Sequence, residues 1–124
     1  MALVAVLDDE QNTLELLSEL MMDGGYEVVG HQIKSDFLEL MPILEPDVII
    51  TDVVAPRMDG IQFIKALKED PRYRDIPVII VSGFLGERPE EIKKAFQLGA
   101  YDCFPKPFDP EHLMSRVKEA IGQH

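Results

Sequence analysis

Three short runs, Leu3-Val4-Ala5-Val6-Leu7, Val48-Ile49-Ile50-Thr51 and Val78-Ile79-Ile80-Val81, are almost unbroken in apolar character and rich in β-branched residues. Strands buried on both faces of a parallel sheet read this way, because helices cover each face and leave no solvent side to alternate toward. Tyr101-Asp102-Cys103-Phe104 and Glu27-Val28-Val29-Gly30 are weaker strand candidates. Between the runs, apolar residues recur at helical spacing: Leu14, Leu17 and Met21; Ile61, Ile64 and Leu67; Ile92, Ala95 and Phe96; Leu113, Val117 and Ile121. Each set can cover one face of a sheet. Gly24-Gly25 and Gly99 mark helix stops, while Asp109-Pro110 and Arg88-Pro89 mark helix starts with proline at the first helical position. A helix over residues 36–44 contains Pro42, which removes a backbone donor and collides with the preceding turn, so this helix is expected to be short, kinked or late in starting. Strand and helix alternate five times. That predicts an α/β fold with right-handed crossovers, helices on both faces of a parallel sheet, and ligands gathered at the carboxyl ends of the strands.

The length of 124 residues suits one core, and no composition shift or low-complexity tract marks a linker, so residues 1–124 are expected to form a single domain. No apolar stretch approaches the roughly 20 residues that span a bilayer, and residues 1–7 lack the basic start of a secretion signal. A cytoplasmic location is the expectation. The single cysteine, Cys103, excludes a disulfide within the chain and reads as a buried thiol in a strand. A formal charge of −11 repels phosphate backbones and anionic membranes, which argues against direct nucleic-acid or membrane binding. His31, His112 and His124 have no metal-ligand spacing, and glycine-rich phosphate loops are absent from the sequence.

The chemistry concentrates where the apolar runs end, at Asp8, Asp9, Asp52, Ser82 and Lys106. Three carboxylates at one sheet edge repel each other, and a hard cation between them relieves the repulsion; Mg²⁺ suits oxygen ligands and leaves coordination positions for a phosphate oxygen. An aspartate can accept a phosphoryl group, a reaction that needs positioning and charge neutralisation more than covalent help. Asp52 fits the nucleophile, Asp8 and Asp9 the metal holders, Lys106 a point cation and Ser82 a hydroxyl donor.

Asp8-Asp9, Asp52, the stretch Pro56-Arg57-Met58-Asp59-Gly60, Ser82-Gly83 and Lys106-Pro107-Phe108, taken in order at strand ends, make the chain resemble the receiver domains of two-component response regulators over essentially its whole length. The resemblance implies a doubly wound five-stranded sheet of flavodoxin-like order 2-1-3-4-5. It implies a signalling phosphoacceptor that catalyses only its own phosphorylation and dephosphorylation. Asp52 would take phosphate from a histidine kinase or phosphotransfer protein. Asp9, Asp52 and the backbone carbonyl of Val54 would bind Mg²⁺ directly, with Asp8 acting mainly through water. Lys106 would pair with the phosphate, Ser82 would swing to hydrogen-bond it, and the Lys106-Pro107 bond would be cis. The fourth helix, fifth strand and fifth helix would present the changed surface to a downstream protein or a fused output domain.

Several positions depart from the family pattern. Cys103 stands where an aromatic side chain usually follows the serine or threonine, and a thiol cannot fill a ring's volume, so Ser82 and Cys103 form an unusual switch pair; Phe104 and Tyr101 are the possible substitutes. Residues 82–100 are about two longer than usual, most simply through an insertion in 83–88. Val54 and Phe84 occupy positions that often carry a polar side chain orienting water, which predicts slow self-dephosphorylation. Two other readings compete: a pseudo-receiver that binds proteins without a phosphorylation switch, favoured by Cys103, and an aspartyl-phosphate hydrolase, opposed by the lack of a D-x-D motif and of residues for a cap domain.

Overall fold

The computed structural model describes residues 2–52, 60–83 and 89–122. Among them, strands and helices alternate: β1 (Leu3–Leu7), α1 (Gln11–Asp23), β2 (Glu27–His31), α2 (Lys34–Leu44), β3 (Val48–Thr51), α3 (Gly60–Glu69), β4 (Val78–Ser82), α4 (Pro89–Leu98), β5 (Asp102–Pro105) and α5 (Pro110–Gly122). All strand pairs are parallel, and the sheet runs in the order β2-β1-β3-β4-β5. This is the doubly wound, flavodoxin-like arrangement that the alternation and the resemblance predict.

Side chains alternate across each strand and divide the core in two. Ala5, Leu7, Ile49, Val78 and Ile80 meet Phe37 and Met41 of α2, Phe63, Ile64 and Leu67 of α3, and Ala95 of α4. On the other face Val4, Val6, Val48, Ile50, Ile79 and Val81 meet Leu14, Leu17 and Met21 of α1 and Leu113 and Val117 of α5. Residues of β1, β3 and β4 are buried along their whole lengths apart from Leu3, which explains their unbroken apolar sequences. Among the described residues, no helix is long and apolar enough to cross a membrane.

The punctuation behaves as the sequence suggests. Gly25 and Gly99 take left-handed backbone conformations at φ 93° and 113°, and the Asp109 carboxylate caps α5 by accepting the Glu111 N–H at 3.0 Å. Three expectations need correction. Helix α2 begins at Lys34, earlier than residue 36, and runs through Pro42 for 11 residues. Pro42 lies in its last turn, where few hydrogen bonds remain to be lost, and burial of Phe37 and Met41 holds the helix in place. Strand β5 is Asp102–Pro105, displaced one residue from the apolar run because Tyr101 enters only through its N–H bond to the Val78 carbonyl. Phe96 is 44% exposed, so α4 covers the sheet through Ile92 and Ala95 while its ring faces out.

Candidate functional site

The ladder registers deliver the polar residues to one edge. Leu7 pairs with Thr51, so Asp8 and Asp52 follow side by side, and the Asp52 N–H donates to the Leu7 carbonyl at 3.1 Å. The Asp8 N–H donates to the His31 carbonyl at 3.2 Å. Ser82 is the last residue of β4, and its carbonyl accepts the Lys106 N–H at 3.0 Å, which ties the backbone of the lysine to that of the serine. The Thr51 hydroxyl donates to the Asp52 carbonyl at 3.0 Å.

From this frame the Lys106 ammonium reaches two carboxylates, Asp8 Oδ2 at 2.9 Å and Asp52 Oδ2 at 3.2 Å. These contacts join residues 98 and 54 positions apart in the chain. One carboxylate oxygen from each of Asp8, Asp9 and Asp52 lies within 4.8 Å of the other two. Asp8 and Asp52 are 1% and 4% exposed, whereas Asp9 faces solvent. Asp8 Oδ1 also accepts the Glu10 N–H at 2.9 Å, which orients its carboxylate.

The electrostatics follow from this crowding. Burial raises the Asp8 pKa, and the neighbouring Asp52 charge adds to it; together they outweigh the Lys106 and Glu10 hydrogen bonds and the Lys106 charge, which pull the other way. Burial also works against the Lys106 ammonium, but hydrogen bonds and charges from Asp8 and Asp52 prevail and raise its pKa. Lys106 therefore remains a cation, while Asp8 holds its negative charge at a cost. An all-oxygen donor set with a fixed ammonium beside it is suited to a hard divalent cation and to a phosphoryl group.

The structure thus brings together Asp8, Asp9, Asp52 and Lys106, with Ser82 fully buried at the neighbouring strand end. Val54, Phe84 and residues 84–88 of the loop insertion lie outside the described residues. The Lys106-Pro107 peptide bond is cis, as the resemblance implies. Cys103 is half-buried rather than fully buried, on the face that carries α2, α3 and α4, and burial pushes its thiol up to about 11. Phe104 and Tyr101 pack with the α1 and α5 cluster on the opposite face, and the Arg116 guanidinium lies 4.7 Å from the Tyr101 ring. Neither ring takes the place of the absent aromatic.

Two features escaped the sequence. The direct bond from Lys106 to Asp8 joins two residues whose assigned partners were phosphate and metal water, and no local signal marks it. Lys34, in a polar stretch that reads as surface, is only 1% exposed.

Comparison with known proteins agrees with this geometry. The family model described as response regulator receiver domain matches residues 4–118. The chain is 33% identical over 120 residues to the DNA-binding dual master transcriptional regulator RpaA of Synechocystis sp., covering 95% of this chain and 48% of that protein. It is 31% identical over 118 residues to the phosphate regulon transcriptional regulatory protein PhoB of Escherichia coli, covering 95% of this chain and 51% of PhoB. The chain therefore spans about half the length of these curated relatives. The chemotaxis response regulator CheY4 of Vibrio cholerae superposes with a TM-score of 0.86 at 30% identity, over 97% of this chain and 98% of CheY4. A receiver domain of a signal transduction histidine kinase from Syntrophus aciditrophicus gives 0.90 at 27% identity, over 99% of this chain and 92% of that one. By sequence, by strand order and by the acidic edge closed with a lysine, this chain belongs to the response regulator receiver domains of two-component signalling.

Proposed function

We propose that Asp52 is the phosphoacceptor of this receiver and that Lys106, Asp8, Asp9 and Ser82 form its reaction site. The observation that carries the reading is the Lys106 ammonium held between the buried carboxylates of Asp8 and Asp52, with Asp9 open to solvent beside them. A divalent ion fits these residues, since all three side chains offer oxygen and their carboxylates crowd within 4.8 Å of one another, a repulsion that a cation would relieve. Asp8, Asp9 and Asp52 would hold Mg²⁺, together with the Val54 carbonyl implied by the family. When bound, it supplies charge neutralisation for the transferring phosphoryl group.

The chain's own residues supply the rest. An Asp52 carboxylate oxygen attacks the phosphorus of a phosphohistidine, the P–N bond breaks, and the imidazole leaves with the electron pair. Lys106 exchanges its contact with Asp52 for the incoming phosphoryl oxygens, while its bond to Asp8 Oδ2 keeps the ammonium at the site. The Ser82 hydroxyl donates to the new phosphate, and this movement changes the surface of α4, β5 and α5. Cys103 lies on the α4 side of β5, so repacking here proceeds without an aromatic ring. The donor is a histidine kinase or phosphotransfer protein, and the receiver of the signal is a downstream protein or an output domain on the same polypeptide, in the cytoplasm.

An NMR titration with beryllofluoride and Mg²⁺, which mimics the phosphorylated aspartate, tests the switch. Ser82, Gly83, Lys106 and α4 should shift in the wild type and remain fixed in Asp52→Asn. Unchanged spectra at these residues on saturation of the wild type would contradict the proposal.

A further inference from the structure

Strands β2 and β5 are the two edges of the sheet, and they are built differently. The Glu27 N–H donates to the Ala2 carbonyl at 3.0 Å and the His31 carbonyl accepts the Asp8 N–H at 3.2 Å, so Glu27, Val29 and His31 turn their backbone groups toward β1. Backbone groups of successive residues in a strand point to opposite sides. Val28 and Gly30 therefore aim an N–H and a C=O each away from the sheet, and no strand among the described residues receives them. Such an edge pairs readily with an extended chain, and proline, basic side chains or a short strand ordinarily guard it. Strand β5 has these guards: it is four residues long, ends in Pro105, and its Asp102 carboxylate anchors the Arg116 guanidinium at 2.7 Å. Strand β2 has five residues with neither proline nor a basic side chain, and Gly30 is exposed.

Space and charge beside this edge narrow what can pair with it. A Cβ on Gly30 would lie 3.1 Å from Leu14 and 3.6 Å from the Ser18 hydroxyl. With no side chain there, a cleft of about 410 Å³ opens on that face, lined also by Leu14, Ser18 and Met22. On the other face the His31 ring lies 5.8 Å from the Phe37 ring and Val29 packs against the core, so no comparable space remains. Residues 1–52 hold twelve of the twenty-three acidic residues and one of the twelve basic ones, and that one, Lys34, is 1% exposed. Glu27 on the strand, Glu15 and Glu19 at the cleft, and Asp36 and Glu39 on α2 are all exposed. A second copy of this edge would bring like charges together, whereas a basic chain finds the opposite sign on every side.

We propose that the β2 edge takes up an extended, basic segment of a partner protein as a sixth strand of the sheet. The outward N–H and C=O groups of Val28 and Gly30 are the set that one added strand uses, and main-chain hydrogen bonds hold the segment. An apolar side chain of the segment enters the cleft beside Gly30, and its Lys or Arg side chains meet the surrounding carboxylates. The surface lies across the sheet from β5.

The test is an NMR titration of the full chain with a peptide of about eight alternating Lys and Val residues, beside the same peptide N-methylated on its lysine amides or on its valine amides. Amides of successive residues face opposite edges of a strand, so one methylated peptide should bind about tenfold or more weakly and the other within about threefold of the parent. The Val28 and Gly30 amides should exchange hydrogen quickly in the free protein and about tenfold or more slowly in the complex, while Val29 and His31 stay protected throughout. Affinity should fall about tenfold or more between about 20 and 200 mM salt, and an alternating Glu–Val peptide should not bind. Gly30→Pro removes one outward donor and should weaken binding about threefold or more; the methylated peptides probe the same bonds in the unaltered protein. The proposal is overturned if the Lys–Val peptide fails to bind at about 1 mM, if both methylated peptides retain or lose affinity equally, or if shifts centre away from residues 27–32. A dimer of the free protein with Val28 and Gly30 protected would overturn it as well.

Discussion

Replacing Asp8 by Asn should stabilise the metal-free protein at neutral pH, although it removes half of a buried ion pair. Asn keeps the shape and deletes the charge. At an effective permittivity of about 20, repulsion between carboxylates up to 4.8 Å apart costs roughly 3.5 kcal/mol for the buried Asp8–Asp52 pair, and solvent roughly halves the share from exposed Asp9. The attraction lost at 2.9 Å from Lys106 is about 6 kcal/mol on the same scale, so the pairwise effects cancel to within about 1 kcal/mol. Burial of the charge then decides the sign. It is the first cause of the raised Asp8 pKa, and the expected gain is about 1–2 kcal/mol, or a melting temperature higher by roughly 4 °C per kcal/mol. Because the folded-state pKa is raised, Asp8 contributes full stability only below its unfolded value of about 3.9 and loses it as pH rises through the folded value. The variant's advantage should therefore vanish in acid and reach a plateau toward neutrality. Urea unfolding of both proteins in EDTA, from about pH 3.5 to 7.5, measures this, and Mg²⁺ should narrow the gap by stabilising the wild type more. A variant less stable than wild type at neutral pH, or a difference that ignores pH, would refute the reasoning.

Three further outcomes are expected. The Tyr73 hydroxyl is buried in the α2–α4 side of the core without a hydrogen-bond partner among the described residues, so Tyr73→Phe should raise stability by about 1 kcal/mol in chemical denaturation; a loss of that size would show that the hydroxyl is satisfied in solution. With its thiol pushed up to about 11, Cys103 should react with iodoacetamide at least about tenfold more slowly in the native protein than in urea at pH 7.5, and faster as pH rises toward 11. Equal rates in the two states would contradict the burial seen here. Apolar Val54 and Phe84 should leave the acyl phosphate without a side chain to orient water, so its loss, followed by intact mass, should take minutes or longer, and completion within seconds without a partner would exclude this.

The sequence disclosed what depends on strand burial and little of what depends on packing between distant segments. Runs buried on both faces have no polar interruption, which is why β1 and β3 have the limits their apolar residues suggest. Asp8, Asp52 and Lys106 could be placed at one edge because each directly follows a strand, and parallel strands end on the same side. Helix α2 was less legible, since the burial of Phe37 and Met41 that supports it around Pro42 comes from the facing core. Periodicity put Phe96 on the covering face of α4, but Ala95 and Ile92 suffice there and the larger ring turns outward. Lys34 gave no sign of its burial, because charge normally marks surface. The separation of Phe104 from Cys103 was readable from strand alternation, whereas the position of Tyr101 beneath Arg116 required the placement of α5.

The most direct measurement of the central claim is the intact mass of the protein after incubation with acetyl phosphate and Mg²⁺. The wild type should gain one phosphoryl group, about 80 Da, that is lost in mild base and does not form in EDTA; Asp52→Asn should gain none. Equal gain in the Asn variant, or an unmodified wild type under saturating donor and metal, would contradict the assignment of Asp52 beside Lys106 as the site of phosphoryl transfer.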